Sequence, residues 1–221
     1  MSRVGVLALQ GDVPEHQRAL QNVLPEHEIR LVRSVPDLQS VDVLFLPGGE
    51  STTIARLLQS TGLWTALHRR LAEGLPVLAT CAGLVLLSRR LEPGPSGRDP
   101  PTLEVLDVRV RRNDYGRQRE SFEAPVRIEG LDGPLFPGIF IRSPRILEVG
   151  PGAQPFAFRG SEVVGVRSGL VWGLAFHPEL SGDPRVHRAF LEAVGSQSTE
   201  RPHSSRTATR ARTTPSTRAQ R

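Results

Sequence analysis

The chain has 221 residues, a net charge of +5 and a pI near 10.9, enough length for one α/β domain with a sizeable core. Its single cysteine excludes an internal disulfide and points to a reducing, cytoplasmic setting. The apolar part of the N-terminus is too short for a signal peptide, and nothing approaches the ~18 apolar residues of a membrane span. All 28 basic residues are arginine, and Ser196–Arg221 holds six of them against one acid. The excess charge therefore belongs to this tail and the rest of the chain nets to zero, which disfavours nucleic acid as a partner of the folded body.

In chain order, Arg3–Leu9 reads as a buried strand, Pro14–Val23 as a helix and Ile29–Val32 as a second strand. Val41–Leu46 is a third strand, ended by Pro47-Gly48-Gly49. Ser51 or Thr52 can cap the helix that follows, whose apolar face carries Ile54, Leu57 and Leu58. Leu63–Glu73 is another helix. Val77 opens a strand that leads to Cys81, and Leu84–Leu87 starts a helix. Glu92–Pro101 is rich in Pro and Gly and reads as a loop. Shorter strand-like pieces follow at Leu106–Val110, Ala124–Ile128, Gly138–Ile141, Ile146–Val149, Val163–Val166 and Leu170–Phe176, and Pro184–Val194 forms a last helix. Strands alternating with helices predict βαβ units and an open, mostly parallel sheet flanked by helices in three layers. Residues 1–195 form this domain. Residues 196–221, rich in Arg, Ser and Thr, have too little apolar surface to offset ordering and read as a disordered tail.

Cys81 lies between an apolar strand and an apolar helix start. At such a turn the side chain is pushed out of the sheet, and the helix N-terminus behind it favours the thiolate. A small buried core cysteine is the alternative. His177, in Phe176-His177-Pro178-Glu179-Leu180, also follows an apolar strand, on the edge where open α/β sheets place their ligands. Glu179 can hold one ring nitrogen while the other takes the thiol proton, in the order nucleophile, base, orienter. The other five histidines (16, 27, 68, 187 and 203) have no comparable setting. In Pro47–Thr53, Gly48 and Gly49 allow close backbone approach, so amides there and at Ala82 could face one developing oxyanion. A phosphate-binding P-loop is excluded, because no G-K-[ST] follows. Arg111–Gln118 is dense in polar groups, including Arg112, and Arg142 stands at another strand end. Arginine's planar fork suits an α-carboxylate.

Together, six stretches in order resemble the glutaminase subunits of pyridoxal 5'-phosphate synthase, within the class I (triad) glutamine amidotransferases. They are Gly5–Asp12, Leu46–Thr53, Thr80–Leu84, Arg112–Glu123, Phe140–Pro144 and Phe176–Leu180. The resemblance runs from Val4 to about Val194. It implies the flavodoxin-like class I amidotransferase fold and the hydrolysis of L-glutamine to L-glutamate and ammonia. Cys81 would be the nucleophile, His177 the base and Glu179 its orienter. Gly49 and Ala82 would supply the oxyanion hole, and Gly49, Glu50, Ser51, Arg112, Ile141 and Arg142 would hold glutamine. It implies no cofactor, no metal and no membrane. The partner it implies is a (β/α)₈ synthase subunit that receives the ammonia, in a complex of up to twelve copies of each.

The chain departs from the family pattern at Ala79, where Gly is usual two residues before the cysteine, at Ser143 in place of Ala, and at Glu104 beside the Pro93–Pro101 loop. Ala79 asks for a slightly less strained turn. The Arg112–Gln118 and Phe140–Arg142 stretches disfavour the glutaminase of another amidotransferase, such as that of imidazole glycerol phosphate synthase. Retention of Cys81, His177 and Glu179 together disfavours a catalytically silent scaffold.

Overall fold

The computed structural model describes residues 3–24, 29–93, 99–114 and 121–200. Three short, wholly buried strands, β1 (Val4–Leu7), β3 (Val43–Leu46) and β4 (Val77–Thr80), and a partly exposed one, β2 (Ile29–Val32), are interspersed with helices α1 (Val13–Gln21), α2 (Val35–Gln39), α3 (Ser51–Ser60) and α4 (Leu63–Ala72). Helix α5 (Ala82–Leu87) follows β4 after one residue, Cys81. Then come β5 (Ser88–Leu91), β6 (Leu106–Arg111), β7 (Phe122–Ile128), β8 (Phe136–Phe140), β9 (Arg145–Val149), β10 (Gln154–Arg159), β11 (Glu162–Ser168) and β12 (Val171–Leu174), a 3-10 turn at Pro178–Leu180, and α6 (Arg185–Glu200).

A nine-stranded sheet runs β2-β1-β3-β4-β12-β11-β10-β7-β8, and β5-β6-β9 form a smaller one. The half from β2 to β12 is parallel, and the half from β12 to β8 is antiparallel. The parallel strands read as continuous apolar runs because helices cover both faces. The chain leaves β1 toward β2 on one side and later places β3 on the other. Such a reversal opens a crevice at the carboxyl ends of the strands. The last residues of β1, β3, β4 and β12 lead into that crevice.

The core is continuous across the sheet. Val43, Leu44, Phe45 and Leu46 of β3 are fully buried, as are Leu84, Leu86 and Leu87 of α5. Each such side chain contributes roughly 1.5–3 kcal/mol relative to exposure. Phe45 stacks on His187 with centroids 5.5 Å apart and meets Phe190 edge-on at 5.6 Å, which fastens α6 to the sheet.

Three elements escape the sequence reading. Helix α2 is a single short turn capped by Ser34, whose hydroxyl accepts from the Asp37 amide. Strand β5 continues directly from α5. Strand β10 contains Pro155 and shifts register between Pro155 and Ala157, and a proline within an apolar run argues against a strand when read alone. The cap of α3 is Glu50, not Ser51 or Thr52: its extended backbone lets the longer side chain accept from the Thr53 amide at 2.7 Å. Helix α6, expected over 184–194, continues to Glu200. The expected tail from residue 201 on lies outside the described residues, as do part of the Pro-rich loop (94–98) and Tyr115–Gln118.

Candidate active site

Cys81 occupies the turn between β4 and α5 with φ 48° and ψ −102°, a conformation that L residues rarely adopt. Strain of this kind costs on the order of 1–3 kcal/mol and persists only where the surroundings enforce it. The elbow is strained even with alanine at position 79. Its enforcement is visible on both sides: the Cys81 amide donates to the Leu174 carbonyl of β12 at 2.8 Å, and its carbonyl accepts from Val85. Cys81 is only 6% exposed, and its Sγ lies 3.9 Å from the Ile141 carbonyl, its weak acceptor.

His177 stands three residues beyond the end of β12, held by its amide to the Ile139 carbonyl at 2.8 Å. Its Nδ1 lies 2.8 Å from Glu179 Oε1 and 3.2 Å from Asp12 Oδ2. Nε2 is buried and makes no hydrogen bond within ordinary length. It is nevertheless near enough to Cys81 for the two groups to interact. Burial alone would lower the basicity of His177, but Asp12, Cys81 and Glu179 outweigh it and hold the imidazole well above its ordinary pKa. Catalytic hydrogen bonds in ligand-free sites are commonly long and tighten with substrate. Glu179, from the 3-10 turn, has a fully buried side chain. Burial would raise its pKa, yet His16 and His177 override this and bring it to about 2, so the carboxylate is ionised.

The turn after β3 explains the double glycine. A Cβ on Gly48 would lie 2.4 Å from His177 Cε1 and 2.7 Å from Asp12 Oδ2. Gly49 has φ 149°, and a Cβ there would meet the Gln10 side chain at 2.7 Å. Gln10 in turn accepts from the Glu50 amide at 2.7 Å, which ties the segment after β1 to the start of α3. Gly49 and Ala82 both border the cavity in front of Cys81, and Ala82 begins a helix whose first amides have no partner within that helix.

That cavity measures about 230 Å³. All the residues expected to hold substrate line it: Gly49, Glu50, Ser51, Arg112, Ile141 and Arg142, together with Cys81 and His177. Arg112 is held by Glu50 Oε1 at 3.3 Å and Asp99 Oδ1 at 3.2 Å. Arg142 adopts the left-handed region, φ 46°, in the turn between β8 and β9. Glu50 is kept below its ordinary pKa: the Thr53 amide and hydroxyl and the Arg112 charge outweigh its partial burial. The mouth thus presents a carboxylate beside guanidinium groups, which is complementary to a zwitterionic amino acid.

Sequence reading missed several residues here. Gln10, Asp12 and Asn113 also line the cavity. Asp12 stands at the N-cap position of α1 without capping it, its carboxylate turned toward His177. His16 and His187, set aside as lacking a comparable setting, are both fully buried immediately behind Glu179. His16 falls with Val13 and Leu20 on the inward stripe of α1, so its burial was legible from periodicity, but its neighbours were not. Among the described residues, Asp12, His177 and Glu179 are the only group of metal-ligand type with atoms within 4.8 Å of one another. Two of those contacts already orient His177 Nδ1, the role a triad requires.

Comparison with known proteins agrees with this geometry. Residues 6–196 match the model of the SNO glutamine amidotransferase family. The chain is 48% identical over 196 residues to a protein of Thermococcus onnurineus named pyridoxal 5'-phosphate synthase subunit PdxT, covering 86% of this chain and 98% of that one. A Pyrococcus furiosus protein of the same name is 46% identical over 201 residues, covering 88% of this chain and 100% of that one. A solved structure described as a glutamine amidotransferase superposes with a TM-score of 0.78 at 42% identity, covering 87% of this chain and 98% of that one. No described helix is long and apolar enough to cross a membrane. Family match, relatives and elbow geometry coincide on the same segments, and the chain belongs to the SNO glutamine amidotransferase family.

Proposed function

We propose that this chain is the glutaminase subunit of a pyridoxal 5'-phosphate synthase and hydrolyses L-glutamine through Cys81, His177 and Glu179. The observation that carries the reading is that Cys81 and His177 meet at one cavity from the ends of two hydrogen-bonded parallel strands, β4 and β12, while the buried Glu179 holds His177 Nδ1 at 2.8 Å from behind.

The glutamine side-chain amide enters with its carbonyl toward the start of α5. Cys81 Sγ attacks the amide carbon while His177 holds the thiol proton at Nε2. The oxyanion of the tetrahedral intermediate faces the Gly49 and Ala82 amides; loss of one such donor typically costs about 10²–10³ in rate. His177 then delivers its proton to the leaving nitrogen, releasing ammonia and leaving a glutamyl thioester on Cys81. A water deprotonated by His177 attacks the thioester, and glutamate leaves as the thiolate reforms. Glu179 keeps the imidazole in the Nδ1–H form and stabilises the imidazolium in each half-reaction. Arg112 and Arg142 bind the α-carboxylate, and Glu50 faces the α-ammonium. Gly49, Ser51 and Ile141 shape the pocket around the substrate backbone.

The ammonia passes to a (β/α)₈ synthase subunit, in a cytoplasmic assembly of up to twelve copies of each. The names borne by the relatives and their full-length similarity support this partner. Ammonia release from glutamine, measured with and without a pyridoxal 5'-phosphate synthase subunit, tests the reading. Release should rise with the partner and vanish in Cys81→Ala. Continued glutamate formation by Cys81→Ala would remove Cys81 as nucleophile.

A further inference from the structure

Behind the triad lies a closed set of buried polar groups that glutamine does not reach. Thr80 Oγ1 lies 3.0 Å from the Gly48 amide, 3.3 Å from Glu179 Oε1 and 3.2 Å from His16 Nε2. His16 Nδ1 lies 3.2 Å from His187 Nε2, and His16 Nε2 lies 3.6 Å from Glu179 Oε2. All of these side chains are buried, and they come from β4, α1, α6 and the 3-10 turn.

The protons in this set follow by elimination. A hydroxyl has one proton and two lone pairs. The Gly48 amide can only donate to Thr80, and the Glu179 carboxylate can only accept from it. The Thr80 hydroxyl therefore gives its proton to Glu179, and its remaining lone pair must receive one from His16 Nε2. Burial holds His16 and His187 below their ordinary pKa, His187 at about 3, so both rings are neutral. With its proton on Nε2, His16 offers a bare Nδ1, which accepts from His187 Nε2. His187 Nδ1 is then the nitrogen without a proton, and it is also the one without a partner. The bonds form a directed chain, His187 to His16 to Thr80 to Glu179, ending on the carboxylate that orients the base.

We propose that His16 is a positioning residue of the active site: with Thr80 it fixes the Glu179 carboxylate so that Oε1 faces His177 Nδ1. His16 Nε2 also stands 3.6 Å from Glu179 Oε2, which makes no hydrogen bond of its own. The requirement for such fixing is visible at the front of the site. Asp12 competes for the same Nδ1 at 3.2 Å, and a Glu179 free to rotate would yield it. Thr80 also joins this anchor to the Gly48 amide, so the back of the triad and the glycine turn share one hydroxyl.

The inference rests on the triad reading above. Its test compares His16→Met, which fills the site without donating, with His16→Gln, whose amide can donate toward Thr80 and Glu179. Each is assayed for glutamine hydrolysis in complex with the synthase subunit, alongside thermal unfolding. His16→Met should lose roughly tenfold in kcat, the size expected of one lost hydrogen bond, with KM for glutamine little changed. His16→Gln should recover most of that loss. A role in packing alone predicts the reverse order, since methionine suits an apolar interior. Should His16→Met fail to fold, Thr80→Val against Thr80→Ser asks the same question at the other end of the contact. A folded His16→Met with undiminished kcat, or a Gln variant no better than Met, overturns the proposal. Cys81→Ala run in parallel separates the two readings: if it is inactive while His16→Met is fully active, the triad stands and only the role of His16 fails.

Discussion

The Cys81 amide donates to the Leu174 carbonyl at 2.8 Å, one residue beyond the pairing of Thr80 with Leu174. Nucleophile and base are therefore fastened to one ladder: Cys81 extends β4, and His177 follows β12 by three residues. Their relative position is set by sheet register rather than by loop packing. This explains how a cysteine can be held with φ 48° and ψ −102°, since the strands that flank it are fixed by pairing on both sides.

Gly48 should be as sensitive as a triad residue, although it contributes no side chain. The Cβ of Gly48→Ala would overlap His177 Cε1 and Asp12 Oδ2, so the imidazole must move. A displacement near 1 Å can cost about 10² in rate. Steady-state kinetics of the complex should show a kcat loss of that order while circular dichroism stays native. A kcat within about twofold of the unsubstituted protein, well under one tenfold step of 1.36 kcal/mol, would mean the turn yields instead.

His177→Asn should abolish hydrolysis, because no other described group is placed to take the Cys81 proton at the position of Nε2. Glu179→Gln should fall less far. It keeps the shape and can accept at Nδ1, but loses the charge that helps hold the imidazole above its ordinary pKa. Single-turnover glutamate formation would rank the two. An equal loss in both would assign Glu179 a larger part than orientation.

Much of this site was legible before the fold. Cys81 announced itself by one apolar run on either side, and His177-Pro178-Glu179 by following an apolar strand. The glycines of the β3 turn were visible, but the reason for them, the ring of His177 above Gly48, is a contact across the sheet. His16 and His187 were passed over because their value comes from pairing across 171 positions, between helices α1 and α6, where both rings meet Phe45. Glu50 was missed as a cap because short polar side chains are the usual signal, whereas its reach to Thr53 depends on an extended backbone.

The two buried histidines should make the protein acid-sensitive well above the range in which carboxylates titrate. Both are held below the ordinary value of 6.5, His187 at about 3. As pH falls below 6.5, the unfolded chain takes up protons that the folded chain refuses, so stability declines by about 1.4 kcal/mol per pH unit for His187, and His16 adds to the decline in the same sense. Glu179 acts in the same sense lower down: its contribution is complete above 4.5 and is lost as pH falls toward about 2. Urea unfolding between pH 7 and 5 should therefore show a steep fall in stability. His187→Leu should make that slope shallower, even though it lowers stability at pH 7 by leaving His16 Nδ1 without its donor. An unchanged slope in the variant would show that His187 is protonated in the folded protein.

Removal of residues 201–221 should leave glutamine hydrolysis unchanged while removing six positive charges. The family match ends at residue 196, and every residue lining the cavity precedes Pro178. The packing that fastens α6, through His187 and Phe190 on Phe45, lies well before the cut. The truncated chain should thus keep the kcat and KM of the full chain in the complex, and differ in properties that follow net charge, such as retention on a cation exchanger. A large loss of synthase-stimulated hydrolysis on truncation, with hydrolysis by the isolated chain intact, would instead place the arginines of the tail in the contact with the partner.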